Sequence, residues 1–378
     1  MSFRFNFGLG VDGECVAGVP DADAAGLGEE PAYESSSAAS YERVPLSIPR
    51  VSSIVVDAIY YKDRRLWKRQ LDDVRFQLAQ QDAMDGSARG AVQQAMATDG
   101  GAADVVKGVY EGGLKTWECS MDLLGYLVEH GDDIFAPTAS PRVLELGCGT
   151  GLPSLHVLTS APGASVCMQD YNRDVLELIT IPNILANTVI APGGCAAGDT
   201  THASDGTETC EIDIDFRRTG ALFGANVDEA IGQRELPELS GEEALEADAR
   251  ILQALDASGR CECVAGDWAS VEEEMHRQGR AHTFDVIMTS ETIYDTASYP
   301  RLHSLLACLL AKPGPCQSPL PTVLVAAKTV YFGLTGSVLS FKQYVQASGV
   351  FDIETVWESG GSMGREILRM TWRASGCA

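Results

Sequence analysis

The stretch "RVLELGCGTGLPSL" (142–155) decides the fold of this 378-residue chain. Its first part, 142–147, has the apolar character of a buried strand, and Gly147, Gly149 and Gly151 stand at the end of that strand. Glycine lets the backbone turn sharply and approach a ligand closely. The stretch therefore predicts a strand, a tight turn and a helix, which is the arrangement of a nucleotide-binding loop. The alternative is a purely structural turn between strand and helix.

Strands and helices alternate along the rest of the chain. We expect further strands at 165–170, 261–268, 284–294, 322–332, 351–359 and 365–373, and helices at 172–187, 301–311 and 338–349. This alternation predicts an α/β fold with a mostly parallel, doubly wound sheet. The last two strands follow each other without a helix between them, so one of them must be antiparallel to its neighbours.

The amino-terminal third differs in composition. Residues 1–50 are rich in Ala, Gly, Ser, Asp and Glu, and we expect a disordered acidic segment there. Residues 51–107 are expected to form an extension with a strand at 51–60, an amphipathic helix at 61–83 and a loop at 85–103.

The main domain is expected to cover 108–378, with an acidic insertion at 188–260 on the edge of the sheet. The insertion contains 15 acidic and 5 basic residues. We expect one short helix in it, at 241–259. The insertion is interpreted as a solvated spacer, with a substrate-contacting element as the alternative.

Composition narrows the possible functions and partners. The formal net charge of −25 argues against direct binding of nucleic acid and suits a basic protein partner. The 11 cysteines are expected to be reduced, and neither they nor the six histidines have metal-ligand spacing, so no metal is assigned. No stretch approaches a transmembrane span, and the start lacks the apolar run of a signal peptide. We expect a monomer of the cytoplasm or nucleus that does not bind membranes.

Acidic residues near the glycines indicate which cofactor binds. Asp170 ends the second strand, about twenty residues after the glycines, where a carboxylate commonly holds a ribose. The G-x-G-x-G spacing preceded by Glu145 fits S-adenosylmethionine better than the G-x-G-x-x-G of nicotinamide cofactors, because a nucleoside bearing an amino acid needs no pyrophosphate site.

The segment "EGGLKTWECSMDLLGYL" (111–127) precedes this loop and is expected to cover the cofactor. The ring of Trp117 is predicted to lie over the sulfonium, since an aromatic face favours a cation. Glu118 is predicted to accept a bond from the cofactor or to hold the covering helix. Two alternatives have equal weight. In them, Trp117 is a core anchor, and Glu118 is an acidic residue of the first helical turn stabilised by the helix dipole.

Two further strand ends are expected to complete the site. Residues at the carboxyl ends of parallel strands line such sites, so Ser290, Glu291 and Tyr294 of "TSETIYD" are predicted to face the transferable methyl group or its acceptor. The alternative for Glu291 is a structural helix cap. In "GDW" (266–268), the first two residues are predicted to contact the adenine amino group, and the tryptophan either stacks on the adenine or fills the core.

Several motifs together resemble the protein-histidine methyltransferases, a branch of the seven-strand S-adenosylmethionine enzymes. The resemblance covers nearly everything from Gly108 to Arg373 apart from the insertion. It is carried by the stretches "GVYEGGLKTWECSMDLL" (108–124), "LELGCGTGLPSL" (144–155), "QDYN" (169–172), "PNILAN" (182–187), "GDW" (266–268), "TSETIY" (289–294) and "AAKTVYFGLTGSV" (326–338). "FRFNF" (3–7) and "DVRFQL" (73–78) are also similar. One departure is Asp267, where glutamate is common.

The resemblance implies a Rossmann-like, seven-stranded class I methyltransferase sheet with an antiparallel final strand. It implies that the enzyme methylates the distal nitrogen of a histidine in a basic ribosomal protein of the large subunit, the third by usual numbering, in the cytoplasm and nucleus, including the nucleolus. It also implies cofactor contacts at Thr116, Trp117, Glu118, Cys119, Ser120, Gly147, Gln169, Asp170, Tyr171, Gly266, Asp267, Trp268 and Ser290. Glu291 and Tyr294 form the E-x-x-Y motif that faces the substrate.

The expected chemistry is an in-line methyl transfer to a neutral imidazole, which needs the correct tautomer rather than a strong base. Glu291 or Tyr294 is predicted to accept the proximal N–H of that ring. Three alternatives remain: a lysine methyltransferase of the same fold, a non-catalytic module that binds a ribosomal protein, and a small-molecule methyltransferase.

Overall fold

The structure is a computed structural model, and it describes residues 39–49, 53–85, 112–135, 140–190, 200–202, 208–213, 258–314, 319–360 and 364–374. The motif at 3–7 lies outside these residues. The predicted loop at 85–103 and the predicted helix at 241–259 lie almost entirely outside them.

The described residues contain strands in two sheets and helices on both sides of the larger sheet. In chain order the strands are β1 Glu42–Val44, β2 Ser53–Tyr61, β3 Arg64–Arg69, β4 Arg142–Leu146, β5 Ser165–Asp170, β6 Thr200–His202, β7 Glu208–Asp213, β8 Cys261–Ala265, β9 Val286–Ser290, β10 Thr322–Lys328, β11 Phe351–Glu358 and β12 Arg365–Trp372. The helices are α1 Leu71–Asp85, α2 Glu118–Phe135, α3 Leu152–Ser160, α4 Arg173–Val175, α5 Ile181–Leu185, α6 Trp268–Arg277, α7 Tyr299–Leu309 and α8 Val338–Ser348. Two π-helical segments, Leu176–Thr180 and Ala186–Ile190, follow α4 and α5.

The larger sheet has the order β1-β8-β5-β4-β9-β10-β12-β11. Strands β8, β5, β4, β9 and β10 are mutually parallel, and β12 runs antiparallel between β10 and β11. The predicted α/β class, the doubly wound sheet and the antiparallel final strand are thus confirmed. The sheet has an eighth strand, because Glu42–Val44 pairs antiparallel with the edge of β8. The expectation of disorder throughout 1–50 is therefore wrong for these three residues.

Apolar side chains cover both faces of the central strands. Val143 and Leu144 are neighbours in β4, and both are fully buried, yet they belong to two different hydrophobic clusters. One cluster includes residues of α2 and α3, and the other includes residues of α6, α7 and α8. Burial on both faces explains why these strands are nearly continuous apolar runs rather than alternating ones.

The expected helix at 61–83 is wrong in its first part. Residues Arg64–Arg69 form strand β3, which pairs antiparallel with β2 through a turn at Lys62, whose φ is +53°. The helix α1 begins only at Leu71. The segment is rich in charged residues with good helix propensity. Pairing with β2 and contacts with distant residues overcome that propensity.

The acidic insertion contributes to the second sheet, whose order is β3-β2-β7-β6. Strand β7 pairs with β2 over Ser53 to Asp57, and Cys210 and Ile212 of β7 are buried. For these two strands, β6 and β7, the interpretation as a solvated spacer on the edge of the main sheet is wrong. They join the amino-terminal extension instead.

Two asparagines of the "PNILAN" motif join this second sheet to the glycine-rich turn. Asn183 accepts a hydrogen bond from the Arg69 backbone N–H (2.7 Å) and donates one to the Thr150 carbonyl oxygen (2.9 Å). Asn187, one helical turn later, accepts from the Trp67 N–H (2.8 Å) and donates to the Trp67 carbonyl oxygen (2.7 Å). Because the two side chains are four residues apart, they lie on one face of the helical run.

We expect Asn187→Ala to destabilise the protein by about 2 kcal/mol or more, because the buried backbone N–H and C=O of Trp67 both lose their partner. Urea denaturation followed by circular dichroism measures this change. His276→Ala, at an exposed position of α6, is the control and should change the unfolding free energy by less than about 0.5 kcal/mol. Equal stability of the two variants would contradict the role given to Asn187.

Candidate active site

The glycine turn, residues 147–151, requires glycine for conformational and steric reasons. Gly147, Gly149 and Gly151 have φ values of +62°, +49° and +70°, in the left-handed region that other residues rarely adopt. A Cβ on Gly149 would lie 2.9 Å from the carbonyl oxygen of Gly113. The segment that precedes α2 therefore lies directly against the turn.

Side chains at the end of β5 fix the position of the turn. The Gly149 N–H donates to Asp170 Oδ2 (2.9 Å), and the Gly147 N–H donates to Gln169 Oε1 (3.3 Å). The amide nitrogen of Gln169 donates to the Gly266 carbonyl oxygen (2.8 Å). The carboxyl ends of β4, β5 and β8 are thereby joined, and five predicted cofactor residues lie together.

Glu145 lies fully buried below the turn. Its Oε2 accepts the backbone N–H of Ser154 (3.1 Å), while Oε1 accepts no hydrogen bond from any described residue. Burial raises the pKa of this carboxyl to about 8. A buried carboxyl oxygen without a partner is costly, and it marks a position where a cationic or hydroxyl group of a ligand can bind.

At the end of β8, the residues predicted to bind adenine also have structural roles. The Asp267 carboxylate caps α6 by accepting the N–H groups of Ala269 (2.8 Å) and Ser270 (2.9 Å). The Asp267 N–H donates to the Ala39 carbonyl oxygen (2.8 Å). Trp268 is half-buried and packs on the apolar cluster that contains α6 and α7. The predicted adenine contacts of these residues stay predictions.

The covering segment also contacts the glycine turn through side chains. Thr116 Oγ1 donates to Thr150 Oγ1 of the turn (3.3 Å). Within the covering segment, the Trp117 ring nitrogen donates to the Gly112 carbonyl oxygen (3.0 Å). Ser120 is buried in the first turn of α2, and its hydroxyl has no hydrogen-bond partner among the described residues. Tyr171, half-buried, follows the end of β5.

Glu291 stands at the end of β9 in a strained conformation. Its φ is +57°, which costs a non-glycine residue about 1–3 kcal/mol. Its side chain is only 6% exposed, and its Oε1 has no hydrogen-bond partner within the described residues. Burial first and the Glu291 carboxylate second raise the pKa values of the Cys119 thiol and the Tyr331 hydroxyl. The strain and the burial favour a functional role for Glu291 over a helix cap, and that role stays a prediction.

Lys328 at the end of β10 completes a group that we call the charged cluster, which comprises Glu118, Glu291, Lys328 and the ring of Trp117. The Lys328 Nζ lies 3.6 Å from Glu291 Oε1 and 3.7 Å from Glu118 Oε2. It also lies 5.6 Å from the centroid of the Trp117 ring. Lys328 and Tyr331 lie in the stretch 326–338, which carries part of the resemblance without giving either residue a role, so sequence reasoning misses both. The available signal was their position at the carboxyl end of β10, the strand next to β9.

The end of β9 is tied to the glycine turn. Thr289 Oγ1 donates to the Leu146 carbonyl oxygen (2.9 Å), and a Cβ on Gly147 would lie 3.0 Å from Thr292 Cγ2. Ser290 ends β9 opposite Ala326 of β10. The charged cluster and the glycine turn therefore share one edge of the sheet.

Tyr294 follows Glu291 in the E-x-x-Y motif. Its ring meets the ring of Tyr331 edge-on, with centroids 6.4 Å apart. Its carbonyl oxygen accepts the N–H of Gly336 (2.8 Å), where a Cβ would clash with the backbone of Ile293 and Tyr294. Tyr294 thus packs against Tyr331, whose hydroxyl pKa the Glu291 carboxylate helps to raise.

The strand order, with β12 reversed and the site at the carboxyl ends of β4, β5, β8 and β9, is that of the class I S-adenosylmethionine-dependent methyltransferases. A family model described as lysine methyltransferase matches residues 106–192. Histidine protein methyltransferase 1 of Saccharomyces cerevisiae is 31% identical over 294 residues, which cover 74% of this chain and 68% of that protein. That of Schizosaccharomyces pombe is 30% identical over 311 residues, 80% of this chain and 75% of that protein.

This chain belongs to the histidine protein methyltransferase 1 family. The rat homolog is 30% identical over 271 residues, which cover 71% of this chain but only 59% of the rat protein. The matched part of the lysine methyltransferase model, 106–192, contains the covering segment and the glycine turn but neither Glu291 nor Lys328. Because the match leaves out the ends of β9 and β10, the name of the family model does not identify the acceptor.

The cofactor of this family is S-adenosylmethionine, and the site fits it. The buried Glu145 Oε1 and the Ser120 hydroxyl, which lack partners among the described residues, can receive polar groups of the methionyl part. The glycine turn lets the backbone approach the ligand, and Asp170 lies at the strand end suited to a ribose.

We expect Gly149→Ala to weaken binding of S-adenosylhomocysteine at least tenfold, because the new Cβ meets the Gly113 backbone at 2.9 Å and deforms the turn. Isothermal titration calorimetry measures the affinity. Gly259→Ala is a matched control, since Gly259 also has a positive φ (+62°) but a Cβ there meets nothing within 4 Å. The control should lose stability without losing affinity. Unchanged affinity in Gly149→Ala would show that the turn does not contact the ligand.

The buried carboxyl of Glu145 predicts a pH-dependent stability. Its folded pKa of about 8 lies above the ordinary value of 4.5, so between these values the folded chain holds a proton that the unfolded chain has lost. Stability therefore falls as pH rises through this window. From pH 5 to pH 8, the wild type should lose about 1–3 kcal/mol more than Glu145→Gln in urea denaturation. Parallel pH curves would contradict the assignment.

Proposed function

We propose that this chain transfers a methyl group from S-adenosylmethionine to the distal nitrogen of a histidine in a basic protein of the large ribosomal subunit, the third by usual numbering. The observation that carries the proposal is Glu291, whose strained and buried carboxylate has an oxygen without a hydrogen-bond partner among the described residues. This oxygen lies at the same sheet edge as the glycine turn. The names of the yeast relatives support histidine as the acceptor.

The residues of the site suit a neutral imidazole. Histidine has an unperturbed pKa of about 6.5 and is mostly uncharged at pH 7, so no strong base is needed. Reaction at the distal nitrogen requires the proximal nitrogen to keep its proton. We give the role of accepting that N–H to Glu291 Oε1, which accepts no hydrogen bond from the described residues and lies 3.6 Å from Lys328 Nζ. The cofactor supplies a methyl group activated by its sulfonium. As the ring gains positive charge, the Glu291 carboxylate stabilises it.

In the proposed site, the rings of Trp117 and Tyr294 line the space for the acceptor. Trp117 offers an aromatic face to positive charge, with its ring nitrogen held by the Gly112 carbonyl. Tyr294 is held against Tyr331. We assign Glu291 rather than Tyr294 as the group that orients the acceptor, because its position is enforced at the expense of backbone strain.

The proposed partner is a basic protein, since the chain has a net charge of −25 and such a surface attracts cationic partners. We propose that the chain acts as a monomer, without direct nucleic-acid binding, in the cytoplasm and nucleus, including the nucleolus. Within the residues described by the structure, no helix is long and apolar enough to cross a membrane.

A methylation assay tests the proposal directly. Purified protein is incubated with labelled S-adenosylmethionine and large-subunit ribosomal proteins from cells that lack the enzyme, and peptide mass spectrometry with amino-acid analysis locates the label. We expect label on the distal nitrogen of a histidine in one protein. Label on lysine would place the chain with lysine methyltransferases. A bound cofactor without any label would favour a non-catalytic binding module.

We expect Glu291→Gln to bind the cofactor as the wild type does and to lower kcat by about a hundredfold, because an amide can accept the N–H but cannot balance the charge that forms on the ring. Initial rates in the same assay and calorimetry with S-adenosylhomocysteine measure the two effects. Glu354→Gln, an exposed residue of β11 paired with Arg369, should retain full activity. A Glu291→Gln enzyme as fast as the wild type would show that the role is misassigned.

A further inference from the structure

A lysine of the chain itself occupies the position in this site that suits a positively charged group. The Lys328 ammonium lies between two carboxylates, at 3.6 Å from Glu291 and 3.7 Å from Glu118, and 5.6 Å from the centroid of the Trp117 ring. Two carboxylates and an aromatic face are the groups that would bind the ammonium of a lysine substrate. In this chain they bind an internal one.

The main-chain position of Lys328 is set by the sheet rather than by a loop. Lys328 is the last residue of β10 and pairs with Arg365 of β12. Its backbone N–H lies 3.4 Å from the Tyr331 hydroxyl oxygen, and its side chain is 21% exposed. The ammonium group therefore extends from a fixed point at the edge of the sheet toward Glu291.

The charges around Glu291 determine which acceptor can approach. Glu118 and Glu291 contribute two negative charges and Lys328 one positive charge, while the neighbouring pair of Arg365 and Asp122 is neutral overall. Lys115, whose ammonium lies 5.3 Å from the centroid of the Trp117 ring, adds a second positive charge on the side of that ring. A lysine substrate would bring a second ammonium next to that of Lys328, and it would have to lose a proton before reacting. A neutral imidazole meets no such repulsion and can donate its N–H to Glu291 Oε1.

We propose that Lys328 determines acceptor specificity, because its ammonium fills the cation position of the charged cluster and leaves a site that selects a neutral imidazole over lysine. The inference rests on the proposed function and deepens it. Lys328 acts through Glu118 and Glu291 and does not itself take part in the methyl transfer. Removal of its charge leaves Glu118 and Glu291 without the ammonium that pairs with both of them, which favours a cationic acceptor.

The test compares wild type, Lys328→Met and Lys328→Arg with labelled S-adenosylmethionine and large-subunit ribosomal proteins from cells that lack the enzyme. These basic proteins offer many lysines as well as histidines, so amino-acid analysis of the hydrolysed products yields both methylation rates in one reaction. We expect the ratio of methyllysine to methylhistidine to rise at least tenfold in Lys328→Met and to stay at the wild-type value in Lys328→Arg.

Calorimetry with S-adenosylhomocysteine checks that each variant keeps the cofactor site, and Lys328→Gln replaces Lys328→Met if the latter does not fold. An unchanged product ratio in a neutral variant that still binds the cofactor would overturn the specificity role. A rise in the ratio in Lys328→Arg equal to that in Lys328→Met would also overturn it, because the positive charge would then be irrelevant. If the wild type labels no histidine, the proposed function itself fails, and the specificity role fails with it.

Discussion

The hydrogen bond from the Gly149 N–H to the Asp170 carboxylate is the interaction on which the rest of the site depends. It joins the ends of β4 and β5 at the point where the backbone reverses in the left-handed region. On the other side of the turn, Thr180 donates to the Gly149 carbonyl oxygen (2.6 Å), and Asn183 donates to that of Thr150 (2.9 Å). The turn is thus held from the sheet and from the helical run behind it. Thr180 ends one π-helical segment, and Asn183 lies in α5 between that segment and the next one. Such segments are often found near functional sites.

The sequence predicts the central sheet well because its strands are buried on both faces. Their near-continuous apolar runs leave little ambiguity about strand and helix. The peripheral strands give a weaker signal. Strand β1 has three residues, and β3 is a charged segment with helix propensity, so only pairing with strands far away in the sequence reveals them. The same holds for β6 and β7, which come from the acidic insertion but pair within a sheet built around β2.

The candidate site, like the fold, could be predicted only in part from the sequence. The rule that ligands bind at the carboxyl ends of parallel strands was sufficient to select Asp170, Glu291 and Tyr294 from the sequence. It does not reveal Lys328, because the importance of that residue depends on distances among side chains from α2, β9 and β10. Nor does it reveal that the Asp267 carboxylate caps a helix. Such roles depend on three-dimensional geometry, whereas a motif gives only the position of a residue along a strand.

The central claim is that the glycine turn and the charged cluster form a single methyl-transfer site. A crystal structure of the protein with S-adenosylhomocysteine tests this claim most directly. We predict that the ligand contacts the glycine turn, that its sulfur faces the Glu291 carboxylate beside the Trp117 ring, and that Lys328 remains between Glu118 and Glu291. A sulfur atom directed away from Glu291, or a Lys328 side chain withdrawn from both carboxylates, would contradict the claim.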